Sequence, residues 1–247
     1  MRIAIMQPYF LPYFGYFQLI SAVDRFVILD DVNYIKQGWV NRNRIPANRQ
    51  TPKRDSQWLT VPVKNASQNR LIHDMEITDE DRWKRSMGFA IQNIYGKTPH
   101  FRTTRSLIDR WLANASGNLS RFLTMTICEV ARLCGISTQI IPTSTIYPKR
   151  GLRGTERIMD ICRLEKAHTY VNLPGGRGLY SKDEFRSESI ELVFLKPSWP
   201  ALAQRSGNGN EVFSILDQLM LNSPETMQEM MRVKEVRREK ADIAPAA

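Results

Sequence analysis

The sequence predicts an α/β fold in which an open, mostly parallel sheet carries helices on both faces. Short apolar, strand-like segments alternate with helix-like segments, and this alternation is typical of parallel sheets. Polar clusters also follow the strand-like segments. We expect one α/β domain over residues 1–231, with an insertion or cap around 45–105. Residues 232–247 are charged and then Ala/Pro-rich, which predicts a disordered tail.

The first predicted unit is a strand, a short helix and a second strand. Residues 2–6 are a short apolar run, residues 13–22 are helix-like, and residues 25–29 form another apolar run. Two strands joined in this way imply a right-handed parallel crossover.

The second half of the chain repeats this pattern. From Leu119 the apolar residues fall on one helical stripe that ends at Gly135, and residues 138–142 follow as a strand. We expect a helix to begin near Thr155, a good N-cap residue, and a strand over 169–173. Four strand-like segments are therefore expected in the sheet.

The middle of the chain is less regular. The segment "WLTVPV" predicts a strand, and residues 79–95 predict a helix with Trp83, Phe89 and Ile94 among its apolar positions. These elements would form the insertion or cap.

The positive charge of the chain is concentrated in one segment. The formal net charge is +10, and residues 32–54 contain cations and no acid: Lys36, Arg42, Arg44, Arg49, Lys53 and Arg54. This pattern indicates an anionic partner, such as nucleic acid, a nucleotide, a phosphorylated sugar or an acidic membrane surface. A solvated basic face is the alternative.

The cysteines and the apolar runs indicate a cytoplasmic protein. Cys128, Cys134 and Cys162 lie in helix-like segments without a Cys-x-x-Cys pair, which is typical of core residues in a reducing compartment. No apolar run approaches the roughly 18 residues of a spanning helix. The three histidines are isolated, and no metal site is predicted.

The polar clusters locate the expected binding site. Gln7, Pro8 and Tyr9 follow the first strand, Asp30 and Asp31 the second, and two glycine-containing loops follow the next two strands. The carboxyl ends of parallel strands meet at one edge, where ligands bind in Rossmann-like sheets. We therefore expect the site at this edge.

The two loops are suited to phosphate. The first combines cations, glycines and a helix start: Lys149, Arg150, Gly151, Arg153, Gly154 and Thr155. The second holds Asn172, Gly175 and Gly176, which would let the backbone approach a ligand. A basic surface loop and an ordinary turn are the alternatives.

Acid–base chemistry is expected at Asp30 and Asp31. Successive side chains point in opposite directions along a strand, so one carboxylate would face the ligand and orient a hydroxyl, bind an amine or act as a base. Asn41 or Asn172 would support an oxyanion. Alternatively, the carboxylates cap loops.

A basic and aromatic segment follows the carboxylates. Lys36, Trp39 and Arg42 could stack on a base or sugar and hold phosphates. A nucleic-acid interface would use the same residues, but neither zinc-finger spacing nor an RNP signature accompanies them.

Four segments of the chain resemble the WbqC-like family: "IAIMQPYFLPYFGYFQLI", "ILDDVNYIKQGWVNRNRI", "GTERIMDICRLEKAHTYVNLPGGRGLY" and "SILDQLM". The resemblance runs from the first residues to about residue 220. It implies a role in bacterial surface-polysaccharide (O-antigen) biosynthesis. It also implies transfer of an acyl or aminoacyl group, such as glycine, to an amino sugar.

The first helix also resembles, more faintly, the His-x-Gly-His element of nucleotidyltransferases and pantothenate synthetase. Both histidine positions of that element are tyrosine here, Tyr13 and Tyr16. A phenol is not a cation near neutral pH, so adenylation chemistry would need Tyr16 to replace a histidine.

The residues and the resemblance together predict a transferase acting on a nucleotide-linked amino sugar. A nucleotidyltransferase or adenylate-forming ligase is the second hypothesis, and a non-enzymatic polyanion-binding protein is the third. The sequence leaves the cofactors, the acyl donor, the use of ATP or Mg²⁺ and the oligomeric state open.

Overall fold

The computed structural model describes residues 1–47, 56–198 and 213–232. The strands of this part are β1 Arg2–Met6, β2 Arg25–Ile28, β3 Arg42–Pro46, β4 Ser56–Thr60, β5 Gln139–Ile141, β6 Thr169–Asn172 and β7 Glu191–Phe194. The helices are α1 Phe14–Ser21, α2 Arg82–Tyr95, α3 Phe101–Ala113, α4 Leu119–Leu133, α5 Gly154–Leu164, α6 Lys182–Ser187, α7 Ile215–Leu221 and α8 Pro224–Met231.

A five-stranded sheet in the order β5-β2-β1-β6-β7 forms the centre of the fold. Every neighbouring pair in it is parallel. From β1 the chain adds β2 and then β5 on one side of the sheet, and it later adds β6 and β7 on the other side. The direction in which strands are added therefore reverses between β1 and β6. An open sheet of this kind binds ligands beside such a reversal, outside the carboxyl ends of the strands. The expected α/β class is confirmed.

Each face of the sheet has its own buried cluster. Helices α1 and α4 cover one face through Phe17, Ile20 and Leu123. Helices α5 and α6 cover the other through Ile161 and Phe185. Residues of β1 alternate between the clusters: Ala4 belongs to the first, and its neighbours Ile3 and Ile5 belong to the second. This alternation explains why the strand sequences are apolar throughout.

The ends of α4 follow from its terminal residues. The Asn118 side chain accepts a hydrogen bond from the Arg121 N–H, which caps the first turn. Gly135 has φ +68° just beyond the helix, and the next amide, of Ile136, donates to the Ala131 carbonyl. This is the expected glycine stop.

The structure corrects three details of the sequence-based expectations. The parallel sheet contains a fifth strand, β7, that was not expected. Helix α5 begins at Gly154 with Arg153 as its N-cap, so Thr155 lies inside the helix instead of capping it. Phe89 lies on the solvent side of α2 with 69% of its surface exposed, because the apolar stripe of that helix faces the other way.

The middle segment contains an antiparallel hairpin of β3 and β4 followed by α2 and α3. The expected strand in "WLTVPV" is present as β4. Residues 48–55 and the predicted tail at 233–247 lie outside the described residues. In the described part of the chain, no helix is both long and apolar enough to cross a membrane.

Candidate active site at the carboxyl edge of the sheet

The loops after β1 and β6 meet at the reversal of strand order through a group of tyrosines. Burial raises the pKa of Tyr9, and the nearby Tyr180 raises it further. The ring centroids of Tyr170 and Tyr180 lie 5.6 Å apart, and the Asn172 amide donates to the Tyr170 hydroxyl over 3.2 Å. Gln7, Pro8, Tyr9, Asn172 and the 174–179 turn therefore occupy one end of the sheet edge, as expected.

Tyr16 lies beneath this group. It is 0% exposed, and its hydroxyl donates to the Gln7 carbonyl over 2.9 Å. Burial raises its pKa well above the usual value, and burial followed by Tyr9 raises that of Tyr13 to about 12. Both phenols therefore stay neutral, and Tyr16 supports the loop from below.

The N-terminus of α1 is covered by another segment. A Cβ added to Gly15 would lie 2.6 Å from Pro197 Cγ, closer than carbon atoms approach. The Gln18 side chain also bonds both the N–H and the carbonyl of Ser198. The segment around Pro197 therefore occupies the place where an anion would approach this helix end.

The basic loop ends at the N-terminus of α5. Arg150, Gly151 and Gly154 all have positive φ, of 49°, 77° and 52°. Arg150 and Arg153 are exposed, and no side chain caps the helix. The Thr155 hydroxyl donates to the Leu179 carbonyl over 3.4 Å, which joins this loop to the turn after β6. The two predicted phosphate loops are thus neighbours.

The two glycines of the second loop differ. A Cβ on Gly176 would lie 2.6 Å from the Asn172 amide nitrogen, so close packing on that side chain explains this glycine. Gly175 is exposed and has open space around it. The Asn172 side chain donates a hydrogen bond to the Tyr170 hydroxyl and accepts one from the Leu173 N–H.

Asp30 and Asp31 point to opposite sides of the sheet and share Ser144 between them. The Ser144 hydroxyl accepts from both aspartate N–H groups at 3.1 and 3.2 Å and donates to Asp31 Oδ1 at 2.6 Å. Asp30 accepts from Ser120, Thr143 and the Ser144 N–H at 2.7 to 3.1 Å. The carboxylates are 2% and 3% exposed, so both are fixed by the fold.

Asp31 also faces a buried arginine that the sequence did not single out. Arg157 of α5 is 1% exposed, and its Nη2 lies 2.9 Å from Asp31 Oδ2. The guanidinium donates to the carbonyls of Ser144, Tyr147 and Pro148. Asp160 Oδ2 lies 3.7 Å away. Lys149 donates to the Asp31 carbonyl, so this cation of the basic loop is anchored.

Asp30 lies at a cavity of about 610 Å³ between the ends of β2 and β5, which we call the β2/β5 cavity. Its nine lining residues are Asp30, His73, Asn118, Ser120, Arg121, Thr124, Pro142, Thr143 and Thr145. Eight of them are polar and one is a proline, but most of the surface that they expose to the cavity is apolar. A space with four hydroxyls, an amide, a carboxylate and a guanidinium suits a ligand rich in hydroxyl or amino groups.

His73 lines the same cavity with both ring nitrogens near oxygen acceptors. Nδ1 lies 3.2 Å from the Asp30 carbonyl and Nε2 lies 3.2 Å from Asp74 Oδ1. Sequence reasoning missed His73, Ser120 and Arg121, because contacts between distant segments create the cavity.

The remaining predicted residues lie on or beside the β3–β4 hairpin. Asn41 is 6% exposed; its side chain accepts from the Tyr34 hydroxyl and donates to the Val61 carbonyl. Lys36, Trp39 and Arg42 are partly or fully exposed. The structure places these residues on a different element from the basic loop.

The cysteines are packing residues in the described part of the chain. Cys134 and Cys162 are buried, and burial raises the pKa of each thiol to about 12. Cys128 is half-buried. Among residues 1–47, 56–198 and 213–232, no group of three or more His, Cys, Asp or Glu side chains could hold a metal ion.

Comparison with known proteins gives the family. The model of the WbqC-like protein family matches residues 7–229, which include the loops and carboxylates described above. The chain belongs to the WbqC-like protein family. The uncharacterized protein Rv1507c of Mycobacterium tuberculosis is 29% identical to this WbqC-like chain over 220 residues, which is 88% of the chain and 92% of that protein. No solved structure matches the chain.

Proposed function

We propose that this WbqC-like protein is an enzyme that transfers an acyl or aminoacyl group, such as glycyl, to a nucleotide-linked amino sugar in bacterial surface-polysaccharide (O-antigen) biosynthesis. One observation carries the proposal: residues 142–155, which join β5 to α5, line the β2/β5 cavity at their start and form the basic N-terminus of α5 at their end. The proposal also places this enzyme in the cytoplasm.

In this proposal the diphosphate of the nucleotide binds at the start of α5. The exposed Arg150 and Arg153 supply charge, and the uncapped N–H groups of the first turn supply donors. The turn at 174–179, which the Thr155 hydroxyl contacts, forms the opposite wall. Lys149 contributes by fixing the loop to Asp31.

The amino sugar extends from there into the β2/β5 cavity. Its hydroxyls would pair with the threonine and serine hydroxyls, and its amine would face Asp30. The amine nitrogen forms the new bond to the acyl carbon, the bond to the leaving group breaks with its electron pair, and Asp30 receives the amine proton. Arg121 is the donor on the same wall for the oxyanion.

Asp31 and Asn41 take positioning roles in this proposal. Asp31 holds Arg157 and, through Ser144, the end of β2. Asn41 joins the hairpin to the segment before it. In this proposal neither side chain contacts the substrate.

Two substitutions test the proposal. We expect Asp30→Asn to lower turnover of a nucleotide-linked amino sugar by about 10² or more, the usual worth of a general base. We expect Arg153→Ala to raise the substrate dissociation constant with a smaller effect on turnover. Asp183→Asn, an exposed carboxylate on α6, is the matched control and should retain full activity. Unchanged kinetics in both site variants would refute the proposal.

A nucleotidyltransferase or adenylate-forming ligase is less well supported. It would place ATP phosphates at the N-terminus of α1, where Pro197 packs on Gly15 and Tyr16 is fully buried. ATP-dependent release of pyrophosphate would favour this alternative.

A further inference from the structure

The β3–β4 hairpin has one face against the sheet edge and one face outward. On the inner face, Asn43 donates to the carbonyls of Phe10 and Leu11, and Ile45 and Leu59 are buried. Side chains alternate along a strand, so the neighbours of these residues point away from the protein. The outward residues include Arg42, Arg44 and Trp58.

The outward face carries an alternating row of cations and indoles. Arg42 Cζ lies 4.1 Å from the ring centroid of Trp58, and Trp58 lies 5.4 Å from Trp39. Arg44 Cζ lies 5.8 Å from Trp39. Both tryptophans are 41% exposed although they are large and apolar. We call this row the Arg–Trp row.

A turn beside the row adds an exposed apolar residue and another cation. Ile35 is 52% exposed and Lys36 is exposed, and the Gly38 N–H closes the turn on the Ile35 carbonyl at 3.1 Å. Arg42 donates to the carbonyls of Gln37 and Gly38, so the turn is fixed to the row. Residues 32–47 and 56–62 contain no acid.

Two kinds of anionic partner fit this surface differently. A nucleic acid would stack its bases on free ring faces, but Arg42 lies over Trp58, Arg44 approaches Trp39, and the two rings pack on each other. A polyanion would also gain nothing from Ile35. Indole edges, an aliphatic side chain and several cations are the features that enter the headgroup region of an anionic bilayer. Glu80 lies beside Trp58 at the margin of this surface.

We propose that the Arg–Trp row and the 35–38 turn form a docking surface for an anionic lipid bilayer. In this proposal the side chains of Trp39, Trp58 and Ile35 enter the headgroup region. The exposed Lys36 pairs with lipid phosphates, and Arg42 and Arg44 add positive charge to the surface. This assigns Lys36, Trp39 and Arg42 to the membrane instead of the substrate, and it does not depend on the proposed transferase reaction.

Vesicle sedimentation tests the proposal. The full chain is mixed with vesicles of phosphatidylglycerol and phosphatidylcholine, or of phosphatidylcholine alone. We expect binding only to the anionic vesicles, with affinity that falls as salt increases and tryptophan emission that shifts to shorter wavelength. Lys36→Gln should weaken binding about fivefold, the usual effect of one basic residue. Ile35→Asp should weaken it at least as much.

Two exposed residues of the α2 region provide matched controls. Lys97→Gln removes a cation and Phe89→Asp places a charge at an exposed apolar position, both away from the hairpin. Both variants should bind as the wild type does. Three results would each overturn the proposal. The control variants could lose as much binding as the site variants, or the protein could bind neutral vesicles equally well. It could also bind no vesicles and instead bind a short RNA through the same residues in a salt-sensitive way. Circular dichroism confirms that every variant is folded.

Discussion

Arg157 is a charged side chain held inside the protein by two carboxylates. It lies 2.9 Å from Asp31 and 3.7 Å from Asp160, yet Asp31 Oδ2, Asp160 Oδ2 and the Arg157 Nε make no hydrogen bond among the described residues. The attraction is thus mainly electrostatic, with hydrogen bonds supplied by three carbonyls. A buried charge of this kind is costly to leave without its partner.

Replacing Arg157 should therefore destabilise the fold. We expect Arg157→Met to lower the free energy of unfolding by about 3 to 5 kcal/mol, because two buried carboxylates lose their counter-charge. Urea denaturation followed by circular dichroism measures the change. Arg163→Met, at an exposed arginine that also faces Asp160, is the control and should cost less than about 1 kcal/mol. Equal effects would contradict this account.

The buried thiols should make stability fall at alkaline pH. The pKa of Cys162 is raised by burial from 9.0 to about 12, so between these values the folded state keeps a proton that the unfolded state releases. Stability is full below pH 9 and declines as pH rises toward 12. Removing the thiol should reduce the slope by at most about 1.4 kcal/mol per pH unit.

Urea midpoints between pH 8 and 11 measure this slope in wild type and Cys162→Ala. Ile161→Ala, which leaves a cavity in the same helix without removing a titrating group, should lower stability at every pH and keep the wild-type slope. A steep slope in Cys162→Ala would show that other groups, such as Tyr13, govern the alkaline range.

At the scale of elements, the apolar strands and the striped helices could be predicted, but short polar strands could not. β1, β2, β5 and β6 are apolar runs between turn residues, so the sequence predicts them. β3 reads Arg-Asn-Arg-Ile-Pro and pairs with β4. Because this segment is mostly basic and polar, it shows no clear alternation of apolar and polar residues that would predict a strand. β7 reads Glu-Leu-Val-Phe, an apolar run as clear as that of β5, so its sequence could have predicted it although it was not among the expected strands.

The candidate site shows the same division. The rule that ligands bind at strand ends singled out Asp30, Asp31 and the basic loop, and their role in binding stays a prediction. It could not show that Ser144 and Ser120 hold the carboxylates, because those contacts join residues 113 and 90 positions apart. The rule also could not predict that the hairpin residues lie on a different element from the phosphate loops.

Ser144 joins the ends of β2 and β5, and its loss should loosen both. Ser144→Ala removes the partner of two buried N–H groups and one carboxylate, so we expect a loss of about 1 to 3 kcal/mol. Thermal and urea unfolding measure it. Ser187→Ala, at an exposed hydroxyl of α6, should change stability by less than about 0.5 kcal/mol.

At the scale of the whole molecule, two surfaces lie on different elements. The proposed substrate site combines the loops after β2, β5 and β6 with the start of α4, whereas the proposed membrane surface lies on the outer face of the hairpin. The Asn43 side chain joins the hairpin to the sheet edge by donating to the carbonyls of Phe10 and Leu11. Substrate and membrane should therefore be able to bind together.

Hydrogen exchange can separate these surfaces. A saturating nucleotide-linked amino sugar should slow exchange in residues 30–31, 118–124, 142–155 and 174–179. A ligand at 100 times its dissociation constant stabilises the folded state by about 2.7 kcal/mol. Anionic vesicles should slow exchange in residues 35–46 and 56–60 instead. Protection of the hairpin by the nucleotide would contradict the separation.

The order of the strands also has a consequence for synthesis on the ribosome. β1 is the centre of the sheet, but one of its two neighbours is made late, since Arg2 pairs with Thr169. Until β6 emerges, a nascent chain holds β1 with one open edge, and the crevice between β1 and β6 does not exist. Chains that stop before β6 should therefore be prone to aggregate, and the proposed site forms only when the last third of the polypeptide is released.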